Sequence, residues 1–131
     1  YVDGGLGLVV LEATSGMNLP RKIGPMLSLA DVAVVTKIDR ISQAEREVFR
    51  ARILDAAPGV RVREVNALHG IGIDPLVERI RATPDVNGEL LLRGNPPVGT
   101  CTICVGKKTV GWQSHFGVVR PLEQQTFYRG E

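Results

Sequence analysis

The sequence predicts an α/β fold: a three-layer arrangement in which a parallel sheet carries helices on its faces. Short apolar runs alternate with helix-like segments through the first 82 residues, and strand–helix–strand units with right-handed crossovers build a parallel sheet. The first two runs, over 6–11 and 32–35, are continuously apolar, which suits strands buried on both faces. The texture then changes. Gly and Pro accumulate after Thr83, and four of the six aromatic residues fall within the last 20 positions. The expected organisation is an α/β part over 1–82, a linker over 83–89, and a small β module over 90–131 with strands near 100–105, 108–112 and 115–119. Trp112 and Phe116 are expected to pack that module.

Each element has a local reason. The first strand runs to Leu11 and stops at Glu12. A helix over 20–29 places Ile23, Met26 and Leu27 on one side, but Pro25 falls inside it; an interior Pro costs about 3 kcal/mol, so this helix should be short or start late. The second strand stops at Thr36-Lys37-Ile38-Asp39. The next helix, 42–56, has Ser42 at its N-cap and Glu45 three residues on, the pattern of a capping box. Val48, Phe49, Ile53 and Leu54 form its apolar stripe, and Pro58-Gly59 ends it. Residues 60–65 alternate apolar and charged, so the third strand should be the more exposed one. The last helix, 74–82, has Asp74 as cap, Pro75 in its first turn, and Leu76, Val77 and Ile80 as its buried side.

Composition bounds the function classes. With 131 residues, 44% of them hydrophobic and 23% charged, the chain has globular and not disordered composition. No run approaches the ~18 apolar residues that argue for a membrane span, so no membrane partner is expected. The net charge is +2: residues 1–89 hold 11 Lys+Arg against 12 Asp+Glu, and residues 90–131 hold five against two. That is too weak a basic patch to argue for nucleic acid. The chain opens at Tyr1 without an initiator Met or a secretory leader, and it is expected to be a fragment of a longer protein or a partner-dependent subunit. The C-x-x-C pair without a leader suits a reducing compartment, so a cytoplasmic location is expected.

Every strand ends in a polar cluster: 12–16, 36–39 and 66–70. Ligands of open parallel sheets bind beyond the carboxyl ends of the strands, so three clusters on one rim form the main functional signal. Thr36-Lys37-Ile38-Asp39 resembles the base-reading Asn-Lys-x-Asp loop of GTPases. The resemblance implies that the Asp39 carboxylate accepts from N1–H and the exocyclic amine of guanine while the Lys37 stem covers the base. Thr36 replaces the usual Asn, and its hydroxyl is expected to bond the loop or the base. Asn66-Ala67-Leu68-His69-Gly70-Ile71-Gly72 resembles the following Ser-Ala-x-x-Gly-x-Gly loop, in which the amide at the Ala67 position meets the guanine oxygen. Leu68 lies in the same loop. Glu12-Ala13-Thr14-Ser15-Gly16 resembles the Glu-(Thr/Ser)-x-Gly segment of metallochaperone GTPases. There the acidic residue serves Mg²⁺ or its water shell and the glycine amide senses the terminal phosphate. One extra residue separates Glu12 from Gly16, so Thr14, Ser15 and Gly16 all stay candidates for the phosphate contact.

Taken in order, the three clusters are similar to the C-terminal half of a P-loop GTPase of the nickel-insertion and cobalamin-related metallochaperone class. The resemblance implies a partial P-loop NTPase fold, GTP and Mg²⁺ as ligands, and a switch that delivers nickel, cobalt, zinc or a metallocofactor to a client metalloenzyme. No Gly-x-x-x-x-Gly-Lys-(Ser/Thr) loop occurs in the sequence. In the family that loop lies about a hundred residues earlier, so an N-terminal P-loop segment or partner chain is expected to complete the site, and hydrolysis by this chain alone is not.

Cys101 and Cys104 form the C-x-x-C, followed by Gly106. Two thiolates with a glycine turn suit half of a zinc or nickel site or of an iron–sulfur cluster, each of which wants more ligands. A second copy of the chain sharing the pair across a two-fold axis is the favoured completion, by analogy with dimeric nucleotide-switch proteins. His115 with His69, or further chain, are the others. Two other functions remain: a non-catalytic metal-binding or interaction subunit, and an ATP-dependent iron–sulfur carrier of the same fold.

Overall fold

The computed structural model describes residues 1–94. Three parallel strands, β1 (Leu8–Glu12), β2 (Val32–Thr36) and β3 (Arg61–Glu64), lie in the order β1-β2-β3. Helices α1 (Leu19–Lys22) and α2 (Gly24–Ser28) cross from β1 to β2. Helix α3 (Gln43–Ala56) crosses from β2 to β3, and α4 (Ile73–Arg81) follows β3. Short 3₁₀ turns follow the first two strands at Ala13–Ser15 and Ile38–Arg40.

Strand pleating sends alternate side chains to opposite faces. Val9, Leu11, Ala33, Val35 and Val62 form one face and are buried with Leu27 of α2 and Phe49 and Ile53 of α3. Val32 and Val34, with Val65 just beyond β3, form the other, and Ile73 and Leu76 of α4 pack on it with Leu6 and Leu8. Helices therefore stand on both faces, which gives the three layers predicted.

The capping box forms as the spacing requires: Ser42 Oγ accepts from the Glu45 amide at 3.3 Å, and Glu45 Oε2 accepts from the Ser42 amide at 2.8 Å. The Ser42 amide, and the Ser42 hydroxyl that donates to the same Glu45 Oε2 at 2.7 Å, hold the Glu45 carboxyl below its ordinary pKa. Four expectations are corrected. The helix expected over 20–29 is two helices, because Pro25 sits in the first turn of α2 and starts a new helix there. Burial on both faces holds for β2, whose Val32 to Val35 are all buried, but not for β1, where Val10 is 66% exposed. Among the described residues β1 is an edge strand, and the helix on that face packs against Val32, Val34 and Val65. Val48 is half-exposed, so Phe49 and Ile53 carry the buried stripe of α3. Asp74 does not cap α4: Gly72 takes the N-cap position in a left-handed conformation, and no residue of the helix, Leu76, Val77 and Ile80 included, is fully buried.

The chain after α4 returns to the amino-terminal pole of the sheet. Leu92 bridges Val2 in antiparallel fashion, the Asp3 amide donates to Leu91 O at 2.7 Å, and the Arg93 amide donates to Tyr1 O at 3.0 Å. Tyr1 packs against the core there, and its partial burial raises its phenol pKa. The rest of the expected β module, with Cys101, Cys104, Trp112, His115 and Phe116, lies outside the described residues. Among the described residues, no helix is long and apolar enough to cross a membrane.

Candidate functional site

Parallel register brings the strand ends together. Glu12 and Thr36 are direct partners across β1 and β2. Lys37 comes next, and its backbone turns left-handed at φ 57°. A non-glycine residue in that region is uncommon and marks a position held by its surroundings. The turn aims the chain off the sheet into the Ile38–Arg40 turn, where Ile38 is buried and Asp39 is left at the surface.

The Lys37 ammonium stands 2.9 Å from Glu12 Oε1. The Thr14 hydroxyl donates to the same carboxylate oxygen. These contacts, the Thr14 hydroxyl first and Lys37 next, hold the Glu12 carboxyl below its ordinary pKa. The Thr36 hydroxyl has its partner on the neighbouring strand. It donates to Leu11 O on β1 at 3.3 Å and so ties the two strands at the rim. Asp39 Oδ2 lies 3.5 Å from Arg40 Nε.

The second wall of the site is the loop after β3. Asn66 is 4% exposed, and its backbone pairs both ways with Ile71, at 2.9 and 3.0 Å. Its Oδ1 accepts from the His69 amide at 3.3 Å. These bonds close a tight loop, and Gly70 at φ 68° and Gly72 at φ 75° supply the left-handed turns it needs. Among the described residues, the amides of Ala67 and Leu68 donate to no other group. His69 supplies its backbone amide to that closure.

Thr36, Lys37, Asp39, Asn66, Ala67 and Leu68 together line a cavity of about 320 Å³. All six are residues singled out from the sequence. The seventh lining residue, Arg40, was not, although its place next to Asp39 in a turn is the signal that could have found it. The volume sits at the lower end of small-molecule pockets, near 300 Å³. It suits a planar heterocycle, not a whole nucleotide. The wall offers a carboxylate acceptor at Asp39, an amide at Ala67, and the Lys37 stem. A heterocycle with adjacent N–H donors and a carbonyl could meet all three.

Glu12 reaches this cavity only through Lys37. Gly16 ends the turn after β1 at φ 94°, lines no part of the cavity, and its carbonyl accepts from the Leu19 amide at 3.1 Å. Among the described residues, no group of three or more His, Cys, Asp and Glu side chains is placed to hold a metal ion.

No protein-family model matches the chain. It is 45% identical over 135 aligned positions to the uncharacterized protein MJ0120 of Methanocaldococcus jannaschii, covering all of this chain and 57% of that protein. The chain thus spans little more than half the length of the curated relative it matches. The crystal structure of the hydrogenase maturation factor HypB from Archaeoglobus fulgidus superposes with a TM-score of 0.50 and 20% identity, over 57% of this chain and 41% of that one. At that identity the likeness speaks to fold. Three parallel strands, helices on both faces and polar loops at the carboxyl rim make the chain an α/β fold that resembles part of that structure.

Proposed function

We propose that this chain is the base-reading half of a GTP-binding switch of the metallochaperone type. The observation that carries the proposal is the cavity at the carboxyl ends of β2 and β3, where Asp39 and the Ala67 amide stand on opposite loops. Asp39 accepts from guanine N1–H and the exocyclic amine, and the Ala67 amide donates to the guanine oxygen. Adenine offers a carboxylate no such pair and would leave it unpaired, at a cost of about 1–3 kcal/mol. The Lys37 stem covers the base. Glu12, beside Lys37, serves the Mg²⁺ or its waters, and its present partners Thr14 and Lys37 must then give way.

The phosphate cradle comes from an N-terminal segment of the longer protein or from a partner chain. GTP bound there, with Mg²⁺, supplies the phosphoryl chemistry; the residues of this chain orient the base. The cargo is nickel, cobalt, zinc or a metallocofactor for a client metalloenzyme in the cytoplasm. Cys101 and Cys104 hold a zinc, nickel or iron–sulfur group, shared between two copies of the chain. The likeness in fold to a hydrogenase maturation factor supports the class.

Nucleotide binding to the 131-residue chain tests the base-reading step directly. GDP should bind more tightly than ADP, and Asp39→Ala should remove the difference. Asp39→Asn should shift preference toward xanthine nucleotides, because an amide N–H can donate to the carbonyl that replaces the guanine amine. Equal binding of GDP and ADP, unchanged by Asp39→Ala, would overturn the reading and leave the ATP-dependent or non-nucleotide alternatives.

A further inference from the structure

A second polar cavity lies at the opposite pole of the sheet, by the amino ends of β1 and β2. It measures about 210 Å³ and is lined by Gly4, Gly5, Leu6, Asp31, Arg79, Thr83, Pro84 and Arg93. Its charges do not balance: two arginines and one aspartate line it. The carboxylate is already committed. Asp31 Oδ2 accepts from Arg93 Nη2 at 2.7 Å and from the Gly7 amide at 2.7 Å. Arg93 also donates to Leu29 O, at 2.9 Å, and to Gly5 O.

Arg79 has no such partner. It comes from the last turn of α4, and its Nε is buried without a hydrogen bond among the described residues. No acidic side chain stands within ion-pair distance of it among those residues, although its charge is felt at Asp31. A buried donor of a permanent cation calls for a partner, and a water or an ion is one way native structures supply it. The Thr83 hydroxyl donates to Arg79 O at 3.0 Å, which fixes the end of α4 against the cavity wall.

We infer that this cavity binds a small oxyanion, with the Arg79 guanidinium as its principal ligand. The size selects the class. A cavity of about 210 Å³ has room for several waters. That holds a phosphate, sulfate or small carboxylate with part of its hydration, and it is below the ~300 Å³ at which organic-ligand pockets begin. The net charge of the lining selects the sign. Arg79 offers the planar fork that suits oxygen pairs. The site is on the far side of the sheet from the base-reading loops, and the inference stands whether or not nucleotide binds there.

The test is an NMR titration of the 131-residue chain with inorganic phosphate at constant ionic strength, read at the Arg79 Nε–Hε signal and the Leu6 amide. The expected result is a saturable shift at both. Acetate in a parallel titration distinguishes carboxylates from tetrahedral oxyanions. Arg79→Gln should weaken phosphate binding about tenfold or more, the loss of one charge-assisted hydrogen bond. Arg50→Gln, on the exposed side of α3, should leave it unchanged. Shifts that do not saturate, or that spread equally over surface arginines, would mean water in the cavity and general ion screening, and would overturn the inference. The wild-type signal decides this even if the Arg79 variant fails to fold.

Discussion

Lys37 joins two roles in one residue. Its side chain meets Glu12 and lines the cavity at the carboxyl rim, and its backbone carries a strain of roughly 1–2 kcal/mol in the left-handed region. The two parts can be separated by comparing variants that both lack the side chain. Lys37→Gly should be about 1 kcal/mol more stable than Lys37→Ala, the reverse of the usual order, by urea denaturation. If the alanine variant is the more stable one, the turn does not hold this conformation in solution. Thr36 is the other informative residue. Its hydroxyl is spent on Leu11 O, so Thr36→Val should cost about 1 kcal/mol of stability and leave the ratio of GDP to ADP affinity unchanged. A changed ratio would return Thr36 to the base-reading role that its place in the motif suggested.

The loop between β3 and α4 depends on glycine for two different reasons. Gly70 and Gly72 are both left-handed, but a Cβ at Gly70 would meet nothing within 4 Å, whereas one at Gly72 would be driven into the Glu64 carbonyl. Gly70→Ala should therefore cost about 1 kcal/mol, the conformational term alone. Gly72→Ala should cost about 3 kcal/mol or more, because backbone must move as well. Thermal unfolding of the pair measures the difference; equal costs would mean that the close approach relaxes freely. Helix α3 shows the other extreme, an element specified by its own first turn. Removing its cap with Ser42→Ala should cost about 1 kcal/mol.

Across the whole molecule, one ion pair ties three distant segments. Arg93 bonds Asp31, Leu29 O and Gly5 O, and Asp31 holds the Gly7 amide. Arg93, then the Gly7 bond, keeps the Asp31 carboxyl below its ordinary pKa against the opposing effect of burial. A depressed carboxyl contributes stability that is complete above its unfolded value, about 3.9, and is lost as pH falls through the lower folded value. Asp31→Asn should therefore lower the melting temperature at pH 6 and have a smaller effect at pH 2. A variant whose deficit is the same at both would show that the pair contributes nothing electrostatic. Glu12 and Glu45, also depressed, will leave some acid sensitivity behind.

The sequence by itself determined the α/β class, the order of the elements, the capping box of α3 and the polar clusters that supply six of the seven residues around the cavity at the carboxyl rim. Each is written locally: an apolar run, a Ser with Glu three residues on, a polar cluster at the end of a strand. A strand end is a predictable place for a ligand because parallel packing brings all such ends to one rim. What the sequence could not determine was set by contacts between segments far apart in the chain. Val10 reads as core from its neighbours, yet it is exposed because β1 is an edge strand among the described residues and the packing on that face centres on Val32, Val34 and Val65. The bond from Thr36 to Leu11, the pairing of Lys37 with Glu12, and the Arg79 Nε that is buried without a partner among the described residues follow from register and from where α4 lands on the sheet. Spacing along a chain shows which groups can act on one another within a turn; which strand lies beside which, and what a helix leaves uncovered, are settled only when the layers pack.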